Sequence, residues 1–188
     1  MRSRVALPVA LLLLGLARCG QAKPQSAAIS PQAQRQALQG SPASLADLHA
    51  QAGQLVRSAT PALLQKRLQG LSGHPVVVND WASWCGPCRA EFPFFQKAGL
   101  KYGREVAFVG VNSMDATASA TSFLRSYPVP YPSYEDKTAA IARALHGPGG
   151  LPITNYYTAD GHLFYQHAGG YPNEAALEAD IRRYALRR

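Results

Sequence analysis

Val76-Val-Val-Asn-Asp-Trp-Ala-Ser-Trp-Cys-Gly-Pro-Cys-Arg-Ala-Glu-Phe-Pro93 is the stretch whose reading decides the fold. It opens on three β-branched residues, Val76, Val77 and Val78, which suit a central strand covered on both faces. It closes on a helical pattern from Arg89 to about Gly99, which Pro93 is expected to kink. Cys85 and Cys88 stand at the junction, two residues apart. Strand, Cys-x-x-Cys, helix is the layout that puts a dithiol at a helix start. There, free backbone N–H groups and the positive helix end favour a thiolate. Residues 105–112 form a second buried strand. With the helix between them, the two strands make a β-α-β unit with parallel strands and a right-handed crossover.

The pattern extends in both directions. Residues 116–127 read as a helix anchored by Phe123 and Leu124, and the proline-rich residues 127–132 as an extended connector. Residues 137–146 form a short helix stopped by glycines. Residues 153–158 and 162–167 form a hairpin turned at Asp160-Gly161. Asn173 caps a last helix with Ala176, Leu177, Ile181 and Tyr184 on one face. Upstream, Thr60-Pro61 starts a helix that carries Leu64, Leu68 and Leu71. Before it, Ser44 reads as the cap of another helix, with Leu45, Leu48, Ala52, Leu55 and Val56 at helical spacing. Residues 23–43 have no apolar period and read as a flexible tether. The expected architecture is α/β: two parallel strands and an antiparallel pair in one sheet, helices on both faces, and an N-terminal helical extension over residues 44–71. Residues 44–188 are then one domain, large enough to bury a core.

The first 22 residues read as an export signal. Arg2 and Arg4 precede an apolar run from Val5 to Ala17 that is short for a membrane span. Two processing routes compete. Gly20-Gln21-Ala22 offers small residues for cleavage before Lys23, whereas Leu16-Ala17-Arg18-Cys19 resembles a lipoprotein signal in which Cys19 becomes acylated. Arg18 departs from that second pattern, which prefers a small residue. Both routes place the domain outside the cytoplasm.

The net charge is +8. Arg182, Arg183, Arg187 and Arg188 read as a solvated helix end. No basic run is interleaved with stacking aromatics, so nucleic acid is not an expected partner. Without Cys19, the domain keeps two of the chain's 3 cysteines. A disulfide between them closes so short a loop that it constrains the unfolded chain little. Such a bridge is expected to be made and broken rather than to be structural. Half a zinc site is the competing reading, but His49, His74, His146, His162 and His167 show no paired ligand spacing.

The string Val77 to Pro93 resembles the TlpA/ResA-like extracytoplasmic thiol–disulfide oxidoreductases of the thioredoxin-fold superfamily. Val109-Gly-Val-Asn112 and Gly150-Leu-Pro-Ile-Thr154 are similar to later segments of that family. The resemblance implies a thioredoxin-like fold and a cis peptide between Leu151 and Pro152 beside the cysteines. It implies a substrate-facing surface of Trp84, Gly86, Pro87, Leu151 and Pro152. It also implies disulfide-bearing extracytoplasmic proteins as substrates, by family analogy in cytochrome c maturation, and a membrane thiol protein as electron donor. Membrane attachment would run through Cys19. No cofactor beyond the cysteine pair and no metal is expected.

Within the pair, Cys85 is expected to be the nucleophile and Cys88, one turn deeper, the resolving thiol. Glu91 lies on the face of Cys88, where a carboxylate disfavours the second thiolate and can carry its proton. Asn79 takes the place where cytoplasmic thioredoxins carry a buried acid. Asp80 departs from the family, which usually has an aromatic residue there. It is expected to reach solvent at the sheet's edge or to serve as a second proton carrier. Two other functions compete: a thiol peroxidase, which needs Thr and Pro before a single cysteine where this chain has Ser83-Trp84, and a copper chaperone, which typically uses Cys-x-x-x-Cys with a distant His.

Overall fold

A computed structural model describes residues 29–147 and 149–188. The leader, Cys19 and residues 23–28 lie outside the described residues. In chain order the elements are α1 (Pro31–Ala37), α2 (Ala43–His49), β1 (Leu55–Val56), α3 (Pro61–Gln69), β2 (Val76–Trp81) and α4 (Gly86–Tyr102). Then follow β3 (Ala107–Ser113), α5 (Thr117–Ser126), β4 (Ser133–Asp136), α6 (Ala140–His146), β5 (Ile153–Tyr157), β6 (Leu163–Ala168) and α7 (Glu174–Asp180). A π-helical turn, Ile181–Ala185, continues α7.

Six strands form one sheet in the order β1-β4-β3-β2-β5-β6. The first four run parallel, and β5 and β6 are antiparallel to their neighbours. The expected mixed sheet is present, with two more strands than the sequence pattern shows. β2 is central, and its side chains alternate between two cores. Val77 and Trp81 meet Phe92 and Phe95 of α4, Phe123 of α5 and Leu177 of α7. Val76 and Val78 meet Leu64 of α3 and Ile141 of α6 on the other face.

The N-terminal expectations need correction. Part of the stretch read as a flexible tether is helical: α1 is capped by Ser30, whose side chain accepts the Ala33 N–H, with Pro31 in the first turn. Leu38, just past α1, is buried. Ser44 is not a cap, because α2 starts one residue earlier behind Pro42. The helix read on through Leu55 and Val56 stops short of them. Gly53 turns with φ 67°, and Leu55 and Val56 pair with Ser133 and Tyr134 as the edge strand β1. The ring nitrogens of His49 lie 3.0 Å from Pro130 O and 2.9 Å from Gly103 O, tying the extension to the sheet's connectors. The helix after the cysteines is longer than expected, and it runs on through Pro93.

β3 and β4 approach closely at Gly110. A Cβ there would lie 2.2 Å from Ser133 Oγ and 3.0 Å from Trp81 Nε1. Trp81 Nε1–H donates to that same Ser133 hydroxyl at 3.2 Å. Gly110→Ala is therefore expected to cost about 2–3 kcal/mol by overpacking. A thermal melt should show the midpoint lowered by about 5–10 °C, with the cysteine pair unaffected.

Candidate active site

The end of β2 delivers the chain to residues 82–85, and this turn is held from below. Asp115, just past β3, accepts from Ser83 N–H at 2.6 Å and from Ser83 Oγ–H at 2.9 Å. Asn112 Nδ2–H donates to the same carboxylate at 3.0 Å. Arg89 reaches back from α4 to donate to Ser83 O at 3.1 Å, its guanidinium 5.3 Å from the centre of the Phe123 ring. Trp84 donates its indole N–H to Met114 O at 3.1 Å and leaves 60% of its surface exposed. An exposed tryptophan thus stands beside a fixed Cys85.

Cys85 caps α4, and Pro87 occupies the first turn, where a missing N–H costs nothing. Cys85 and Cys88 are joined as a disulfide with Cα atoms 5.3 Å apart. The Cys88 N–H donates to Cys85 Sγ at 3.2 Å. That bond and the helix start favour negative charge on Cys85 when the bridge opens. The two residues are 5% and 1% exposed, so the outer sulfur belongs to Cys85.

The second wall is the Leu151–Pro152 segment, whose peptide bond is cis as expected. Pro152 O accepts the Gly169 N–H at 2.9 Å. The next residue, Gly170, faces Pro87, and a Cβ on it would lie 3.1 Å from Pro87 Cβ. Residues 169–170 therefore bridge the cis-proline segment and the cysteine turn. Leu151 packs against the core that includes Cys85 and Cys88. Trp84 precedes the cysteine pair, Gly86 and Pro87 lie within it, and Leu151 and Pro152 are linked to that turn through residues 169–170.

Glu91 is fully buried on the inner side of α4. Asn79 Nδ2–H donates to its Oε1 at 3.0 Å, and Tyr171 N–H donates to its Oε2 at 2.9 Å. Burial pushes its carboxyl up from 4.5 to about 7, against the pull of those two hydrogen bonds. Asn79 Oδ1 has no hydrogen-bond partner among the described residues. Turning the Asn79 amide over would present that oxygen to a protonated Glu91. The pair can thus satisfy the carboxyl in either protonation state.

Asp80 is not at the sheet's edge. It lies in the central strand with its side chain on the face opposite Glu91 and is almost fully buried. Its Oδ2 lies 3.0 Å from His146 Nε2, and its Oδ1 accepts from Ser113 Oγ–H at 2.5 Å. Asp115, Tyr171 and His146 carry no motif, and the sequence reading misses all three.

The chain as a whole is similar to known proteins. The Redoxin family model matches residues 46–181, most of the described chain. The thiol-disulfide oxidoreductase ResA of Oceanobacillus iheyensis is 30% identical over 98 residues, 52% of this chain and 50% of the relative. The thiol:disulfide interchange protein DsbE of Escherichia coli K12 is 34% identical over 111 residues, 58% of this chain and 57% of the relative. The chain spans about half the length of these curated relatives. A crystal structure assigned to DsbE of Chlorobium tepidum superposes with TM-score 0.57 at 32% identity, covering 63% of this chain and 84% of that one. The fold is accordingly thioredoxin-like. With its β-α-β unit, its Cys-x-x-Cys helix start and a family match across both, the chain belongs to the Redoxin family.

Proposed function

We propose that this protein is an exported thiol–disulfide oxidoreductase that reduces disulfides of extracytoplasmic proteins through Cys85 and Cys88. The observation that carries the reading is the Cys85–Cys88 bridge at the start of α4, flanked by an exposed Trp84 and the Leu151–Pro152 segment. In the reduced form, the Cys85 thiolate attacks one sulfur of a substrate disulfide. The other substrate sulfur leaves as a thiolate and takes a proton. Cys88 then loses its proton, with Glu91 as acceptor, and attacks Cys85 Sγ. The second substrate thiol is released, and the protein holds the oxidised bridge. A membrane thiol protein returns the two electrons. The leader supports export to the extracytoplasmic space, Cys19 supports attachment to the outer face of the cytoplasmic membrane, and the family resemblance supports a place in cytochrome c maturation.

The test is insulin reduction by the described domain with a thiol donor, with Cys85→Ser as control, together with the redox potential of the pair. Turnover by the wild type and none by Cys85→Ser is expected. A potential near that of reducing thioredoxins supports reduction, and one near that of strong periplasmic oxidants reverses the direction. Equal inactivity of both proteins, with tight copper binding, overturns the reading in favour of a copper chaperone.

A further inference from the structure

Six residues, Gly147-Pro-Gly-Gly-Leu-Pro152, join α6 to β5 and carry the Leu151–Pro152 wall of the site. Gly149 and Gly150 lead directly into that wall, and glycines resist the chain's bending little. The wall therefore takes its position from the two ends of the segment. One end is His146, the last residue of α6. The other is Ile153, the first residue of β5.

Both ends are held by one residue. The Asp80 carboxylate reaches His146 Nε2 at 3.0 Å, and the Asp80 backbone stands opposite Ile153 in the β2–β5 ladder. The Asp80 side chain is itself fixed by the Ser113 hydroxyl at 2.5 Å. Gly149 closes over both anchors: a Cβ on it would lie 2.8 Å from Ile153 Cδ1 and 3.9 Å from His146 Nδ1. The far end of α6 is tied separately, with Asp136 accepting from Ala140 N–H and Ala142 N–H at 2.8 Å each. A buried ionisable pair is weak evidence for stability, since its desolvation offsets its attraction. Its directional bond, however, ties the last residue of α6 to the central strand.

We propose that Asp80 and His146 are positioning residues for the substrate wall: they set the Leu151–Pro152 segment against Cys85 from the opposite face of the sheet. The proposal rests on the oxidoreductase reading and deepens it. It also accounts for a carboxylate where the family usually has an aromatic residue. Neither residue touches the reacting sulfurs.

A protein substrate needs that wall, whereas a small disulfide needs only the Cys85 thiolate. The experiment compares insulin with dithiobis-nitrobenzoate as substrates of the reduced protein. In His146→Leu, KM for insulin is expected to rise about tenfold, with the rate on the small disulfide within about twofold of wild type. His146→Gln, whose amide can donate to Asp80, should recover most of the insulin KM. Ser113→Ala, a milder change that removes one of the two hydrogen bonds on the Asp80 carboxylate, should shift the insulin KM in the same direction by a smaller factor. Amide hydrogen exchange at Gly149, Gly150 and Leu151 should quicken in His146→Leu and Ser113→Ala. An unchanged insulin KM in folded Ser113→Ala and His146→Leu overturns the proposal, as does an equal slowing on both substrates. A wild type that reduces neither substrate overturns the oxidoreductase reading itself, and this proposal with it.

Discussion

Cys88→Ser is expected to stop turnover with insulin by about a thousandfold or more while leaving the first chemical step intact. The two sulfurs differ in position. Cys85 is the cap of α4, with the Cys88 N–H aimed at its sulfur. Cys88 sits one turn further into the core. Attack by Cys85 needs an accessible thiolate, and Cys88→Ser leaves it one. Release needs a second thiol at Cys85 Sγ, and a serine hydroxyl is a far weaker nucleophile at neutral pH. The variant should therefore accumulate as a covalent adduct with one insulin chain, visible as a shifted band on a non-reducing gel and lost on adding thiol. Cys85→Ser should give no adduct. An adduct on Cys85→Ser and none on Cys88→Ser would reverse the two roles.

The part of the molecule that makes this prediction was legible in the sequence. A β-branched run, a cysteine cap and a proline in the first turn are local signals, and β2 and the start of α4 follow from them. Thr60 and Asn173 work the same way: each side chain caps its helix as its residue type suggests. What stayed hidden depends on distant partners. β4 reads Ser-Tyr-Glu-Asp, a polar string, yet all four residues are buried. Ser133 is satisfied by Trp81, and Asp136 by the start of α6. β1 has two residues, too few for any period, and exists because β4 offers it an edge. Asp80 was misplaced for the same reason. A carboxylate suggests solvent, and partners 33 and 66 residues away, Ser113 and His146, make a central strand tolerable for it. Glu91 falls between the two cases. Its face is set by its spacing from Cys88, whereas its contact with Tyr171, 80 residues on, is set by the fold.

Glu91 should give the protein a pH dependence that Glu91→Gln removes. Its carboxyl is raised from 4.5 to about 7, and burial is the main cause. Between those values the folded protein holds a proton that the unfolded chain has lost. Stability therefore falls as pH rises through this window, and the penalty is complete above about pH 7. The displacement corresponds to about 3 kcal/mol, or a melting point about 6–12 °C lower. In Glu91→Gln the amide oxygen can accept from Tyr171 N–H. The new N–H₂ group can donate to an Asn79 amide turned over, whose oxygen has no other partner. The variant thus keeps the two contacts and loses only the charge. Melts at pH 5 and pH 8 should differ by most of this amount in the wild type and by clearly less in the variant, with the variant the more stable at pH 8. Wild-type melts that are flat across the window would show that Glu91 is not held protonated. Activity should move the opposite way from stability. A glutamine cannot take the Cys88 proton, so release of the mixed disulfide should slow by about a hundredfold. Formation of that adduct by Cys85 should keep its rate. Loss of both steps together would instead mean that Glu91 acts by holding the turn in shape.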